Sequence, residues 1–84
     1  MSKNLLILGA GGHGKVVREV ALSIVDDYIP RYSKVDFLDD YADEAIGKIQ
    51  DLKDYVEIYD EVFCGIGNNS VRKDLLKKSR KIRL

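Results

Sequence analysis

The sequence contains very little cysteine, proline or histidine. Its 84 residues include one of each. Cys64 has no partner for an intramolecular disulfide, and its apolar neighbours favour a buried structural thiol over a nucleophile or a metal ligand. No apolar run approaches the roughly 20 residues of a membrane-spanning helix, and Leu5–Leu8 is too short for the apolar core of a signal peptide. We therefore expect a cytoplasmic location and no metal site.

What is present is typical of one small globular domain. The chain is 45% hydrophobic and 33% charged, which disfavours disorder. Its acidic and basic residues balance overall but are segregated along the chain. Residues 26–61 hold twelve acidic and four basic side chains, and residues 70–84 hold seven basic and one acidic. The basic segment has the pattern of one amphipathic helix without interleaved aromatics, so a solvated helix face is favoured over nucleic-acid binding.

A glycine-rich segment follows the first apolar run, Asn4–Leu8, which we predict to be a strand. Gly9, Gly11 and Gly14 have the spacing of dinucleotide-binding βαβ units. In such units one glycine permits a tight turn, one lets the backbone approach a pyrophosphate, and one lets helix and strand pack closely. The N-terminus of the following helix attracts the anion. We predict that a phosphate-bearing ligand contacts Gly9, Gly11, Gly12, His13, Gly14 and Lys15.

Alternatives remain open for this loop. It could be a glycine-rich connection without a ligand. His13 could contact a phosphate or a sugar, support the loop, or, with least weight, act in catalysis. Lys15 could add charge toward the phosphates or point to solvent.

The next elements suggest a second part of the site. Apolar periodicity predicts a helix from about Gly14 to Val25, ended by Asp26-Asp27 and Pro30, and a second strand at Lys34–Leu38. Asp39 and Asp40 follow that strand, where nucleotide-binding folds place an acid that accepts hydrogen bonds from a ribose hydroxyl. The alternative is a solvated acidic turn.

A second glycine-containing turn follows a predicted third strand, Glu61–Ile66. It leads through asparagines suited to helix capping into a helix around residues 71–79, and Lys81–Leu84 begins a fourth strand. A short helix is possible at 51–56, and we expect Tyr41, Tyr55 and Tyr59 to pack in the core or at its rim. The predicted ligand contacts of this turn are Gly65, Gly67, Asn68 and Asn69.

These elements predict an α/β fold, a small Rossmann-like parallel sheet with helices on both faces. The simplest right-handed winding gives the strand order 2-1-3. In that order the two glycine-containing loops lie on either side of a topological switch point, where ligands bind in open parallel sheets. A fold of this class normally has a further strand or domain, so we interpret residues 1–84 as the N-terminal module of something longer.

Four segments occur together in one order and spacing. They are Leu6–Val17 with its Gly-Gly-His-Gly centre, Phe37–Asp40, Ile46–Ile49, and Gly65–Asn69 followed by Val71–Lys73. Together they resemble the N-terminal domain of the NeuD/PglD-type bacterial sugar O-/N-acyltransferases, over essentially the whole chain.

The resemblance implies a Rossmann-like domain that binds the nucleotide part of a UDP- or CMP-linked sugar. In such proteins a left-handed β-helix of hexapeptide repeats follows, which trimerises, binds acetyl-CoA and supplies a catalytic histidine. This sequence contains none of that part, and His13 matches the loop position. By analogy, the chain is the substrate-binding half, with no catalytic residue and no cofactor of its own.

Two other interpretations are kept. The first is an NAD(H)-binding Rossmann fragment of an oxidoreductase or a redox-sensing regulator, with which the glycine spacing and Asp39 are compatible. The second is a docking or assembly module in which the acidic middle of one copy pairs with the basic C-terminal segment of another.

Overall fold

A parallel sheet forms the centre of the domain, with helices on both of its faces, as the sequence predicted. The computed structural model describes residues 2–83, without the side chain of Asn69. In chain order the elements are β1 Lys3–Leu8, α1 Gly12–Ser23, β2 Val25–Asp26, β3 Ile29–Pro30, β4 Tyr32–Leu38, a 3-10 turn Ile49–Asp51, α2 Leu52–Tyr55, β5 Glu61–Cys64, α3 Asn69–Leu76 and β6 Ile82–Arg83.

The order of strands in the sheet is β4-β1-β5-β6, and every pairing in it is parallel. This confirms the predicted order 2-1-3 and the beginning of a fourth strand, although Leu84 lies outside the described residues. The third strand ends at Cys64, two residues earlier than predicted. Because the strands are parallel, the loops that follow β1, β4 and β5 share one edge of the sheet.

The centre of the sheet is β1, because its apolar run is buried on both sides. Leu5 and Ile7 pack with Ala21 of α1, and Leu6 and Leu8 pack with buried residues of α2 and α3. Leu6, Ile7 and Leu8 have no exposed surface. The alternation of these side chains requires a helix layer on each face, which is the architecture observed.

A small antiparallel hairpin, β2–β3, stands between α1 and β4 and was not predicted. The helix ends at Ser23 instead of Val25, and Pro30 lies in β3 rather than in a loop. Asp27 and Tyr28 form the two-residue turn with φ of 51° and 69°, the positive angles of a type I′ turn. An Asp-Tyr pair carries no glycine signal for such a turn, and two-residue strands show no alternation.

The basic C-terminal segment is not one helix, which corrects the sequence interpretation. After α3 ends, the hydroxyl Oγ of Ser79 accepts a hydrogen bond from the N–H of Lys81 at 3.1 Å, and the chain turns into β6. The Lys81 ammonium is partly buried and donates to the carbonyls of Val56 and Tyr59, both at 3.1 Å. Lys81 therefore stabilises the end of α2. Within residues 2–83, no helix is long and apolar enough to span a membrane.

Two tyrosine–carboxylate pairs link parts of the chain that are distant in sequence. The Tyr59 hydroxyl donates to Oδ2 of Asp36 at 2.5 Å, and the Tyr32 hydroxyl donates to Oε1 of Glu61 at 2.6 Å. Burial and the adjacent carboxylate raise the pKa of both phenols, that of Tyr32 to about 12. Both tyrosines are therefore neutral donors at neutral pH.

Candidate functional site

The glycine loop after β1 has the backbone geometry that its spacing predicts. Gly9 has φ of +96°, a conformation that side chains with a Cβ rarely adopt. A Cβ on Gly14 would collide with the carbonyl oxygen of Gly9 and lie 3.0 Å from its carbonyl carbon. A Cβ on Gly11 or Gly12 would meet nothing within 4 Å. The first glycine thus turns the chain, the last allows close helix packing, and the middle two leave the backbone accessible.

The N-terminus of α1 keeps its backbone donors free of side-chain caps. Gly11 is the N-cap residue, with φ of −71° and ψ of −172°, and within the described residues no side chain caps the helix. The first turn also contains no acidic residue. The N–H groups of Gly12, His13 and Gly14 and the positive end of the helix dipole therefore suit an anion.

The loop after β5 lies directly against the glycine loop. The N–H of Gly65 donates to the carbonyl of Leu8 at 2.8 Å, and a Cβ on Gly65 would come within 3.6 Å of the Gly14 Cα. A Cβ on Gly9 would approach the Ile66 side chain to 3.1 Å. The two predicted loops are thus adjoining parts of one surface, on which a Cβ at Gly67 would again meet nothing within 4 Å.

The predicted role of Asn68 as a helix cap is confirmed. Its side-chain oxygen accepts hydrogen bonds from the N–H groups of Ser70 at 3.0 Å and Val71 at 3.1 Å, at the start of α3. The carbonyl end of the amide is thereby engaged within the chain. The predicted contact of the Asn69 side chain lies outside the described residues.

Asp39 lies beside the glycine loop, but its carboxylate is bound to backbone donors. Oδ2 accepts from the N–H of Ala10 at 2.8 Å, and Oδ1 accepts from Tyr41 and Ala42, both at 2.9 Å. These hydrogen bonds, that of Ala10 first, lower the pKa of Asp39 below its ordinary value. The carboxylate is therefore charged at neutral pH, and it joins the loop after β1 to the loop after β4.

Two further predicted site residues, Asp40 and Lys15, are engaged by other parts of the chain, whereas His13 is exposed. Oδ1 of Asp40 accepts from the N–H of Ile49 at 3.1 Å, in the 3-10 turn. The Lys15 ammonium forms an ion pair of 2.9 Å with Glu44. The exposed ring of His13 lies 6.5 Å, centroid to centroid, from that of Phe63 in β5.

Sequence reasoning missed Ala10 and misplaced Tyr41. Ala10 is 3% exposed and supplies the donor to Asp39, but an alanine between glycines carries no signal of its own. Tyr41 is 94% exposed, so it is not the core or rim residue that we expected. Tyr59, at 3% exposure, is a core residue as predicted.

The sheet topology defines a parallel α/β domain in which the two glycine-containing loops adjoin at the carboxyl ends of the strands, the edge at which ligands bind in open parallel sheets. Residues 4–79 match the family described as the PglD N-terminal domain. The chain belongs to this family, which confirms the resemblance found in its motifs. No curated protein sequence matches the chain.

Two solved structures share the fold. Both are of the acetyltransferase domain of PglB from Neisseria gonorrhoeae FA1090, one of them in complex with acetyl coenzyme A. Each is 28% identical, with a TM-score of 0.73 over 94% and 95% of this chain. The chain spans about 40% of the length of these structures. These similarities are to an acetyltransferase domain, and they do not favour the alternative interpretation of an NAD(H)-binding oxidoreductase fragment.

Proposed function

We propose that this domain binds the nucleotide and pyrophosphate of a UDP- or CMP-linked sugar, as the substrate-binding module of an acetyl-CoA-dependent sugar acetyltransferase. The observation that carries the proposal is the uncapped N-terminal turn of α1 at Gly11–Gly14, in a domain of the PglD N-terminal family. Acetyl-CoA binding is assigned to the second domain that we propose for the parent protein. One of the related structures contains acetyl coenzyme A.

In this proposal the phosphates are bound mainly by backbone donors. The open surface at Gly11 and Gly12 lets a pyrophosphate approach the first turn of α1 without meeting a Cβ. Lys15 is already paired with Glu44, so its ammonium contributes less than the helix N-terminus. His13 is exposed at the same turn, where its ring can donate a hydrogen bond to a phosphate or a sugar. A Cβ at Gly67 of the adjoining loop would also meet nothing within 4 Å, so a ligand can approach the backbone there as well.

The proposal is tested by thermal unfolding of the 84-residue chain with UDP, a UDP-amino sugar, CMP and NAD in parallel. A ligand at 100 times its dissociation constant stabilises the folded state by about 2.7 kcal/mol. For a domain of this size that raises Tm by about 10–20 °C. We expect this rise with a uridine or cytidine nucleotide. A rise with NAD alone would refute the proposal.

Gly11→Val tests the loop directly, because its φ suits any residue and the new Cβ meets nothing in the chain. The variant is expected to fold and to lose the Tm rise, since the side chain blocks the backbone from the pyrophosphate. Glu57→Val is the matched control. It places the same side chain at an exposed position just before β5, where the strands begin. Equal Tm rises in the two variants would contradict the assignment of the ligand to the glycine loop.

A further inference from the structure

Asp39 joins the loop after β1 to the loop after β4 at the edge of the candidate site. Its Oδ2 binds the N–H of Ala10, and its Oδ1 binds two N–H groups of the loop after β4. An ionised carboxylate has about four lone-pair sites, and three of them are occupied by these donors. Little capacity remains for a hydroxyl of a ligand.

The Ala10 N–H depends on this carboxylate. Ala10 is 3% exposed, so water cannot readily replace the acceptor. The preceding N–H, that of Gly9, donates to the carbonyl of Leu38 at 2.8 Å. Two consecutive peptide groups are thus held by the end of β4, one by its backbone and one by the Asp39 side chain. Beyond them, Gly11 leads directly into the first turn of α1.

We infer that Asp39 is a positioning residue, which sets the geometry of the phosphate-binding loop through the N–H of Ala10 instead of contacting the ribose. The inference rests on the proposed function and changes the role predicted for this residue from its place after the second strand. It also accounts for a negative charge beside an anion site. The three N–H groups that bind the carboxylate offset its charge.

Asp39→Asn distinguishes the two roles. The amide oxygen can keep the bonds from Tyr41 and Ala42, as helix-capping asparagines do, but its NH2 group then faces the N–H of Ala10. We measure the affinity of the folded chain, below its unfolding temperature, for UDP and for 2′,3′-dideoxyuridine diphosphate. A positioning role predicts that both affinities fall by the same factor, about tenfold or more, as expected for loss of a hydrogen bond to a charged group. Asp43→Asn, an exposed change in the same loop, is the control and should alter neither affinity.

Amide hydrogen exchange of the ligand-free chain supplies an independent reading. In Asp39→Asn the Ala10 N–H should exchange faster than in the wild type, while that of Leu6 in β1 is unchanged and shows that the sheet is folded. Asp39→Ala, which removes all three bonds, should give the same pattern more strongly.

A loss of affinity for UDP but not for the dideoxy nucleotide would show a ribose contact and overturn the inference. Unchanged affinities for both nucleotides, or unchanged exchange at Ala10, would overturn it as well. In these cases the wild type still binds UDP. If the wild type binds neither nucleotide, the proposed function itself fails, and this inference fails with it.

Discussion

Gly14→Ala is the most informative single change, because it adds one methyl group where helix and strand touch through their backbones. The new Cβ would overlap the carbonyl oxygen of Gly9 and lie 3.0 Å from its carbonyl carbon, whereas carbon atoms in contact prefer about 3.5–4.0 Å. Neither neighbour is a flexible side chain, so α1 must move away from β1. That movement loosens the packing of Ala21, which is 5% exposed.

Overpacking of a core costs about 1–3 kcal/mol where side chains can adjust, and more where they cannot. We therefore expect a loss of about 3 kcal/mol, which lowers Tm by about 12–24 °C in a domain of this size. Thermal and urea unfolding, followed by circular dichroism, measure both quantities.

Gly12→Ala is the control for this change, because it adds the same methyl group two residues earlier in α1, where nothing lies within 4 Å. It should be neutral or stabilise by up to about 1 kcal/mol through helix propensity. A Gly14→Ala variant within about 1 kcal/mol of the wild type would refute the close contact between α1 and the glycine loop.

Further changes test other parts of the domain. Tyr59→Phe should lower the free energy of unfolding by about 1.5 kcal/mol in urea, because it removes a partly buried hydrogen bond to a carboxylate. Asn68→Ala should lower stability by about 1 kcal/mol through loss of the α3 cap, whereas Asn68→Asp should not. Tyr28→Gly should raise stability by up to about 1 kcal/mol, since Tyr28 has φ of 69° and is 97% exposed. The pKa of Tyr32 rises on folding from 10.0 to about 12. The stabilisation of the folded state by the protonated Tyr32 hydroxyl is therefore fully present below pH 10 and is lost as the pH rises to 12. The urea midpoint should therefore fall less steeply over that range in Tyr32→Phe, and equal slopes would contradict the pairing of Tyr32 with Glu61.

Much of the fold could be predicted because local signals and the global fold agree. The apolar run Leu5–Leu8 predicted a strand buried on both faces, and the spacing of Gly9, Gly11 and Gly14 predicted a turn, an open backbone and a close contact. Asn68 predicted a helix cap. In each case the residue type itself limits what the backbone can do.

The structural roles of Asp39 and Asp40 could not be predicted in the same way. The position of Asp39 after the second strand was correct, but its acceptors bind N–H groups of Ala10 and of its own loop. Every non-proline residue carries such a donor, so its partner leaves no mark in the sequence. The hairpin at Asp27-Tyr28 was missed for a related reason, because its strained residues are not those that usually form this turn. The extent of the last helix was overestimated, since basic residues continue beyond its end.

The contact of Gly14 with Gly9 and Gly65 has a consequence for how the site can respond to a ligand. Where β1, α1 and β5 meet, backbone lies against backbone, and no side-chain rotamer can change to let these elements slide. The two glycine-containing loops must therefore move as one rigid body. Ile46 and Gly47 are held to β4 by backbone hydrogen bonds. Residues 41–45 are connected to the rigid body by the hydrogen bonds of Asp39 and by the exposed pair of Lys15 with Glu44. In the proposed function, any adjustment to the size of the sugar nucleotide should accordingly occur in residues 41–45, with the two glycine-containing loops unchanged.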